Sequence, residues 1–121
     1  ALDKALRSLG DRKLDGVLFH ATGMMAREKI AERLAEARVP AVFALSELVV
    51  SGGLLSYGVD LKSNYRRAAG YADRILKGAK PADLPIELPS TFELVVNLKT
   101  ARALGITIPQ SVLLRATRVI E

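Results

Sequence analysis

The chain has 121 residues, half of them hydrophobic, 26% charged, with five prolines and no cysteine. That composition describes one folded domain and excludes a disulfide scaffold, thiol catalysis and cysteine-based zinc sites. Eighteen basic residues against thirteen acidic give a net charge of +5. The excess lies wholly in the second half and is densest between Asp60 and Lys80. Aromatic residues are only 5% of the chain, with no tryptophan, so no stacking platform accompanies the basic residues and nucleic-acid binding is not expected. The longest apolar runs are a few residues, far short of the roughly 20 that cross a bilayer.

Leu2, Ala5, Leu6 and Leu9 recur at helical spacing before Gly10, which predicts a short first helix. Asp15 to His20 is an apolar run rich in strand formers, the pattern of a central parallel strand covered on both faces. From Met24 to Ala37 the stripe Ala26, Ile30, Ala31, Leu34 and Ala37 predicts an amphipathic helix with Thr22 as its N-cap. Val39 to Leu45 is a second strand with Pro40 at its entry. Asp15 to Leu45 is therefore a βαβ unit, whose strands point their carboxyl ends to one edge. Ligands of open α/β sheets bind at that edge.

Ser46 to Val50 reads as a short helical turn, and Leu54 to Tyr57 as a third strand ending at Gly58. Tyr65, Ala68, Ala69, Ala72, Ile75 and Leu76 form the strongest amphipathic stripe, closed by Gly78. Pro81, Pro85 and Pro89 make Lys80 to Pro89 an extended connector with no element of its own. Phe92 to Val96 is a strand, and Asn97 caps a short helix that Gly105 closes. Pro109 opens a last helix running through Val112, Leu113, Ala116, Val119 and Ile120. The organisation expected is an α/β core over 1–58, a crossing with helix and Pro-rich connector over 59–89, and a returning strand with C-terminal helices over 90–121.

An enzyme needs a constellation of groups, and this chain offers one histidine, no G-x-S-x-G elbow and no phosphate loop. No catalytic residue is assigned, no cofactor is expected, and His20 has no partner in the sequence with which to hold a metal.

The run G-G-L-L-S-Y-G at Gly52 to Gly58, then N-Y-R-R-A-A at Asn64 to Ala69, is distinctive. With I-L-K-G-A-K-P-A-D-L-P-I-E-L-P from Ile75, F-E-L-V-V-N-L-K-T-A-R-A-L-G from Phe92 and I-P-Q-S-V-L-L-R-A from Ile108, the chain resembles the C-terminal part of ABC-transporter substrate-binding proteins. The relatives meant are those that capture aromatic amino acids. The resemblance runs from about Val39 to Glu121 and implies a βαβ-based parallel sheet flanked by helices. That sheet would be the second lobe of a type I periplasmic-binding-protein-like fold. It also implies a periplasmic or extracytoplasmic protein that closes two lobes on an amino-acid-like ligand and passes it to an ABC permease.

On this lobe the ligand is expected at the loops after the strands: His20, Ala21 and Thr22, then Ser46 and Glu47, then Tyr57 and Gly58. Backbone amides near Thr22 and Gly23 would hold a carboxylate. Each has a plainer reading, His20 as a hydrogen-bonded structural residue, Thr22 as a cap, Tyr57 as packing, Glu47 as a solvated helix residue. Gly58, Val59 and Asp60 are the expected hinge crossing, and Asp60, Ser63 and Asn64 cap the helix that follows. The resemblance implies that the Tyr65 to Leu76 helix packs on a first lobe this chain lacks, so in isolation its stripe invites dimerisation or segment exchange. A sensory module using the same fold is the main alternative, and a flavodoxin-like phosphate binder at Thr22 and Gly23 is the third reading.

Overall fold

The computed structural model describes residues 4, 8, 14–20 and 26–121. Leu2, Ala5, Leu6, Leu9 and Gly10 of the expected first helix, together with Ala21, Thr22, Gly23 and the start of the Met24 helix, lie outside the described residues. The chain forms two compact units, one of residues 1–58 with 93–121 and the other of residues 59–92.

In the first unit, β1 (Val17–Phe19), β2 (Ala41–Phe43) and β3 (Leu55–Val59) lie side by side and parallel, with Val17 to Phe19 in register with Ala41 to Phe43. Helix α1 (Arg27–Ala37) connects β1 to β2 and buries Ile30, Ala31 and Leu34, while Glu28, Glu32 and Glu36 stay exposed. The 3.6-residue period alone dictates that division. The helix stops at Arg38, which takes the left-handed conformation at φ 52°, and Val39 N–H bonds back to the Leu34 carbonyl. Helix α2 (Ser46–Val50) follows β2 and is anchored by Leu48 and Val49, both buried.

The strand order is β1-β2-β3-β4-β5, with β4 (Phe92–Asn97) returning beside β3. Asn97 N–H donates to the Leu54 carbonyl and Asp60 N–H to the Thr91 carbonyl, the signature of an antiparallel pair. The sheet is therefore mixed rather than wholly parallel. Helix α3 (Leu61–Leu76) belongs to the second unit, and α4 (Leu98–Leu104) follows β4. The Asn97 side chain accepts from Thr100 N–H to cap α4, and Gly105 closes it at φ 71°, both as the sequence predicts.

Three expectations need correction. Among the described residues the run at 15–20 is not a central strand: β1 stands at the sheet edge and Leu18 is 75% exposed. An unalternating apolar run shows that both faces can be covered, not that a neighbour exists within the chain. The expected last helix stops after one turn, α5 (Gln110–Leu113), and Arg118–Ile120 is instead β5, parallel to β4. Val119 and Ile120 are β-branched and so fit a pleated surface better than a helix. Thr117 fixes the entry by accepting from Leu94 N–H through Oγ1 and donating its own N–H to the Leu94 carbonyl. Pro81–Asp83 forms a 3-10 turn inside the connector, with Pro81 at its first position where no N–H is needed.

The core gathers Phe43, Ile30, Leu48, Val49, Val95 and Val96, essentially without solvent contact. Each such side chain contributes about 1.5–3 kcal/mol by leaving water. No helix among the described residues is long and apolar enough to cross a membrane.

The second unit is built differently, since α3 has no buried residue. The helix starts at Leu61, earlier than its stripe suggests, because the Asp60 carboxylate accepts from Lys62 and Ser63 N–H. The connector is clipped to it by polar bonds. Arg67 donates to Glu87 and, at 3.0 Å, to Ser90 Oγ, and the Tyr71 hydroxyl donates to the Pro85 carbonyl at 2.5 Å.

The hydrogen bond from Arg67 first, and the Tyr71 hydroxyl after it, hold the Glu87 carboxyl below its ordinary value. A lowered carboxyl stabilises above its unfolded value and loses that contribution as pH falls through the folded one. Desolvation first, then the Glu87 carboxylate, push the Tyr71 phenol up. A raised phenol contributes fully below its unfolded value near 10 and loses that contribution as pH rises through the folded one. The clip is thus expected to loosen at both ends of the pH scale. Amide shifts of Glu87, Leu88 and Ser90 should show an acid step below about pH 4.5 that Arg67→Ala moves up toward the ordinary glutamate value. A step unchanged in Arg67→Ala would show that another group controls the strap.

Candidate ligand-binding edge

Parallel strands β1 to β3 end at one edge, and the register determines which residues meet there. Phe19 pairs with Phe43 and Phe43 with Ser56. Ala44 N–H continues the ladder by donating to the Phe19 carbonyl at 3.1 Å. One step further, His20, Ala44 and Tyr57 form a row across three strands, His20 and Tyr57 about 10 Å apart at the usual strand spacing. The row shares a face with Leu18 and Val42, opposite the buried side chains of Phe43 and Ser56.

His20 is exposed and Tyr57 is 61% exposed, so both carry accessible rings at the sheet rim. Ser56, one residue earlier, points inward and is 1% exposed, and its hydroxyl has no hydrogen-bond partner among the described residues. Gly58 sits so close to β2 that a Cβ there would lie 1.9 Å from the Ala44 carbonyl oxygen. That approach draws the ends of β2 and β3 together. Ser46 and Glu47 occupy the first turn of α2, half-buried, immediately after this contact.

The structure thus brings His20, Tyr57 and Gly58 to one edge, with Ser46 and Glu47 on the adjoining turn. Ala21 and Thr22 lie outside the described residues. Asp60 is occupied as the α3 cap. Sequence reasoning missed Ala44, whose carbonyl is the surface against which Gly58 packs. It also missed the Phe19–Phe43 pair beneath, with rings stacked at 5.4 Å between centroids. The signals were present as two phenylalanines at the same point of successive strands and a glycine at a strand end. Among the described residues no group of three or more His, Asp or Glu is placed to hold a metal.

A mixed sheet of five strands flanked by helices is the architecture of a single lobe of a periplasmic-binding-protein-like fold. A family profile described as ABC transporter substrate binding protein matches residues 17–120, and the chain belongs to that family. A conserved domain protein from Vibrio cholerae is similar at 30% identity and TM-score 0.87, covering 98% of this chain and 40% of its own. An ABC domain from Streptococcus pneumoniae, solved in complex with L-Trp, is similar at 30% identity and TM-score 0.85, covering 99% of this chain and 42% of its own. A ligand-free, open substrate-binding protein with adhesive properties from Clostridium difficile, 20% identical with TM-score 0.63, shares the fold. It covers 99% of this chain and 41% of its own. The chain spans about two fifths of the length of these structures. No curated protein matches it.

Proposed function

We propose that this chain is the second lobe of an extracytoplasmic solute-binding component of an ABC importer, one that captures an amino-acid-like ligand between two lobes and delivers it to a permease. The observation that carries the reading is the exposed Tyr57 ring, set by Gly58 at the rim where β1 to β3 end. An aromatic there offers a face on which a flat apolar side chain stacks. His20, Ser46 and Glu47 supply polar groups around it, and Ala21 and Thr22 belong to the same edge by sequence. The similar Streptococcus pneumoniae domain, solved with L-Trp, supports an aromatic amino acid as the ligand.

Gly58, Val59 and Asp60 are the proposed hinge, where the chain passes from one compact unit to the next. Closure about such a segment completes contacts that the open form lacks. The second unit has no buried residue on α3, and Tyr65 and Leu76 are 72% and 88% exposed. That surface is proposed to meet the first lobe and, in the lobe alone, to drive self-association.

The test is a thermal-shift screen of the full-length protein against amino acids and related small carboxylates. Aromatic amino acids at a hundred times their dissociation constant should add about 2.7 kcal/mol of stability. Tyr57→Ala should weaken them at least about tenfold while leaving the ligand-free melting temperature in place. If another ligand class raises the melting temperature and aromatic amino acids do not, the ligand assignment fails.

A further inference from the structure

The second unit has no core of its own. None of residues 59–92 is buried, and every residue from Pro85 to Phe92 is exposed. Ordering each residue costs about 1–2 kcal/mol of backbone entropy, and burial is the main term that offsets it. A helix and a strap joined only by polar bonds therefore need a further surface laid over them. The most exposed apolar side chains on the strap are Ile86 at 97% and Leu88 at 81%, two residues apart.

The strap's backbone shows what kind of surface fits. Leu84 and Leu88 each precede a proline, which holds them extended, and Leu84 lies at φ −84° and ψ 135°. In an extended chain the N–H and C=O of one residue point to the same side, and successive residues alternate. The Tyr71 hydroxyl bonds the Pro85 carbonyl, so the edge carrying Pro85, Glu87 and Pro89 is the one turned to α3. Both residues that lack an N–H lie on that edge. The opposite edge keeps the N–H and C=O of Ile86 and of Leu88, and among the described residues none of these four groups makes a hydrogen bond. Proline is tolerated in a strand where its nitrogen faces away from the ladder, and Pro85 and Pro89 meet that condition. Arg67 braces the strap from behind through Glu87 and Ser90.

We propose that Pro85 to Pro89 is an edge strand, which adds through the backbone of Ile86 and Leu88 to the margin of the first lobe's β-sheet. The inference rests on the two-lobe reading and names the contact by which the second unit meets the other lobe. Strand addition supplies main-chain bonds, and alternate side chains set the register, here Ile86 and Leu88. The chain spans about two fifths of the length of the structures it is similar to, which leaves room for a second sheet. A transient partner would leave a coreless unit uncovered between encounters, whereas a lobe on the same chain covers it at high effective concentration.

The experiment is amide hydrogen exchange of the full-length protein by NMR, read at Ile86, Glu87 and Leu88. Ile86 and Leu88 should exchange at least about a hundredfold more slowly than Glu87, whose N–H lies on the edge turned to α3. Their amides should also show NOEs to a strand outside residues 1–121. Leu88→Pro removes one donor from the paired edge and should speed exchange at Ile86 at least about tenfold. The alternation is read in the parent protein, so it decides the matter even where that variant misfolds. Equal rates at the three amides, slow or fast, would overturn the proposal, because only a ladder alternates. So would NOEs running between differently labelled copies, the mark of a dimer, or an Ile86 rate unmoved by Leu88→Pro in a folded variant. The ligand reading fails or stands separately. A melting temperature that responds to amino acids while Ile86 and Leu88 exchange freely keeps the receptor and sinks the strand, and protection without any such response keeps the strand.

Discussion

Gly58→Ala is expected to lower stability by about 3 kcal/mol or more, a drop of roughly 10 °C or more in melting temperature. The new Cβ would lie 1.9 Å from the Ala44 carbonyl oxygen and 2.9 Å from its carbon, both backbone atoms, so no side-chain rotation relieves the overlap. Relief requires β2 and β3 to separate at their carboxyl ends. The same movement displaces Tyr57 and the turn carrying Ser46 and Glu47, so ligand affinity should fall together with stability. Gly70→Ala is the matched control. Gly70 lies inside α3, and its added methyl meets nothing within 4 Å. Replacing a helical glycine by alanine there should stabilise by about 0.5–1 kcal/mol. Urea denaturation of the two variants decides the matter. A Gly58→Ala protein within experimental error of the parent would mean that the two strand ends do not touch as described.

How much of this was legible beforehand differs from element to element. The faces of α1 were readable because helical periodicity sorts Ile30, Ala31 and Leu34 from the glutamates without reference to anything distant. The Asn97 cap and the Gly105 stop were readable for a similar reason, since capping is settled within four residues. β5 was not. Residues 117–120 carry a helix-compatible pattern, and only the neighbouring β4, more than twenty residues earlier, converts Val119 and Ile120 into strand. The exposure of Leu18 was equally invisible, because burial of a strand face depends on what is laid over it.

Strand-end logic puts His20, Tyr57 and Gly58 on one edge, and the register of β1 to β3 brings them there, since parallel strands finish together. It did not reveal why residue 58 is glycine. A hinge and a close backbone approach make the same demand on a sequence, and only coordinates show the Ala44 carbonyl. The bonds by which Asn97 and Thr100 donate to the Val49 and Gly52 carbonyls were illegible for a further reason, since each joins residues 48 positions apart in the chain.

Phe43→Ala should cost about 3–5 kcal/mol, enough to leave a marginal domain largely unfolded at 37 °C. Phe43 has no solvent exposure and stacks on Phe19, so truncation removes a large apolar contact and an aromatic pair together. Its ring also explains Gly53, where a Cβ would come within 2.4 Å of Phe43 Cε2 and 2.9 Å of the Leu48 carbonyl oxygen. The two residues share one space, so their substitutions should not add. Gly53→Ala in the parent is expected to destabilise by about 2–3 kcal/mol, because ring and carbonyl are both held. In a Phe43→Leu background the narrower, more flexible side chain yields. The same substitution should then cost at least about 1 kcal/mol less, the residue of the penalty coming from the Leu48 carbonyl. A double-mutant cycle by urea unfolding measures that coupling directly. Additivity within about 0.5 kcal/mol would place the constraint on Gly53 in the backbone turn alone, and Phe43 would lose its role as the wedge that seats the 51–54 turn against β2.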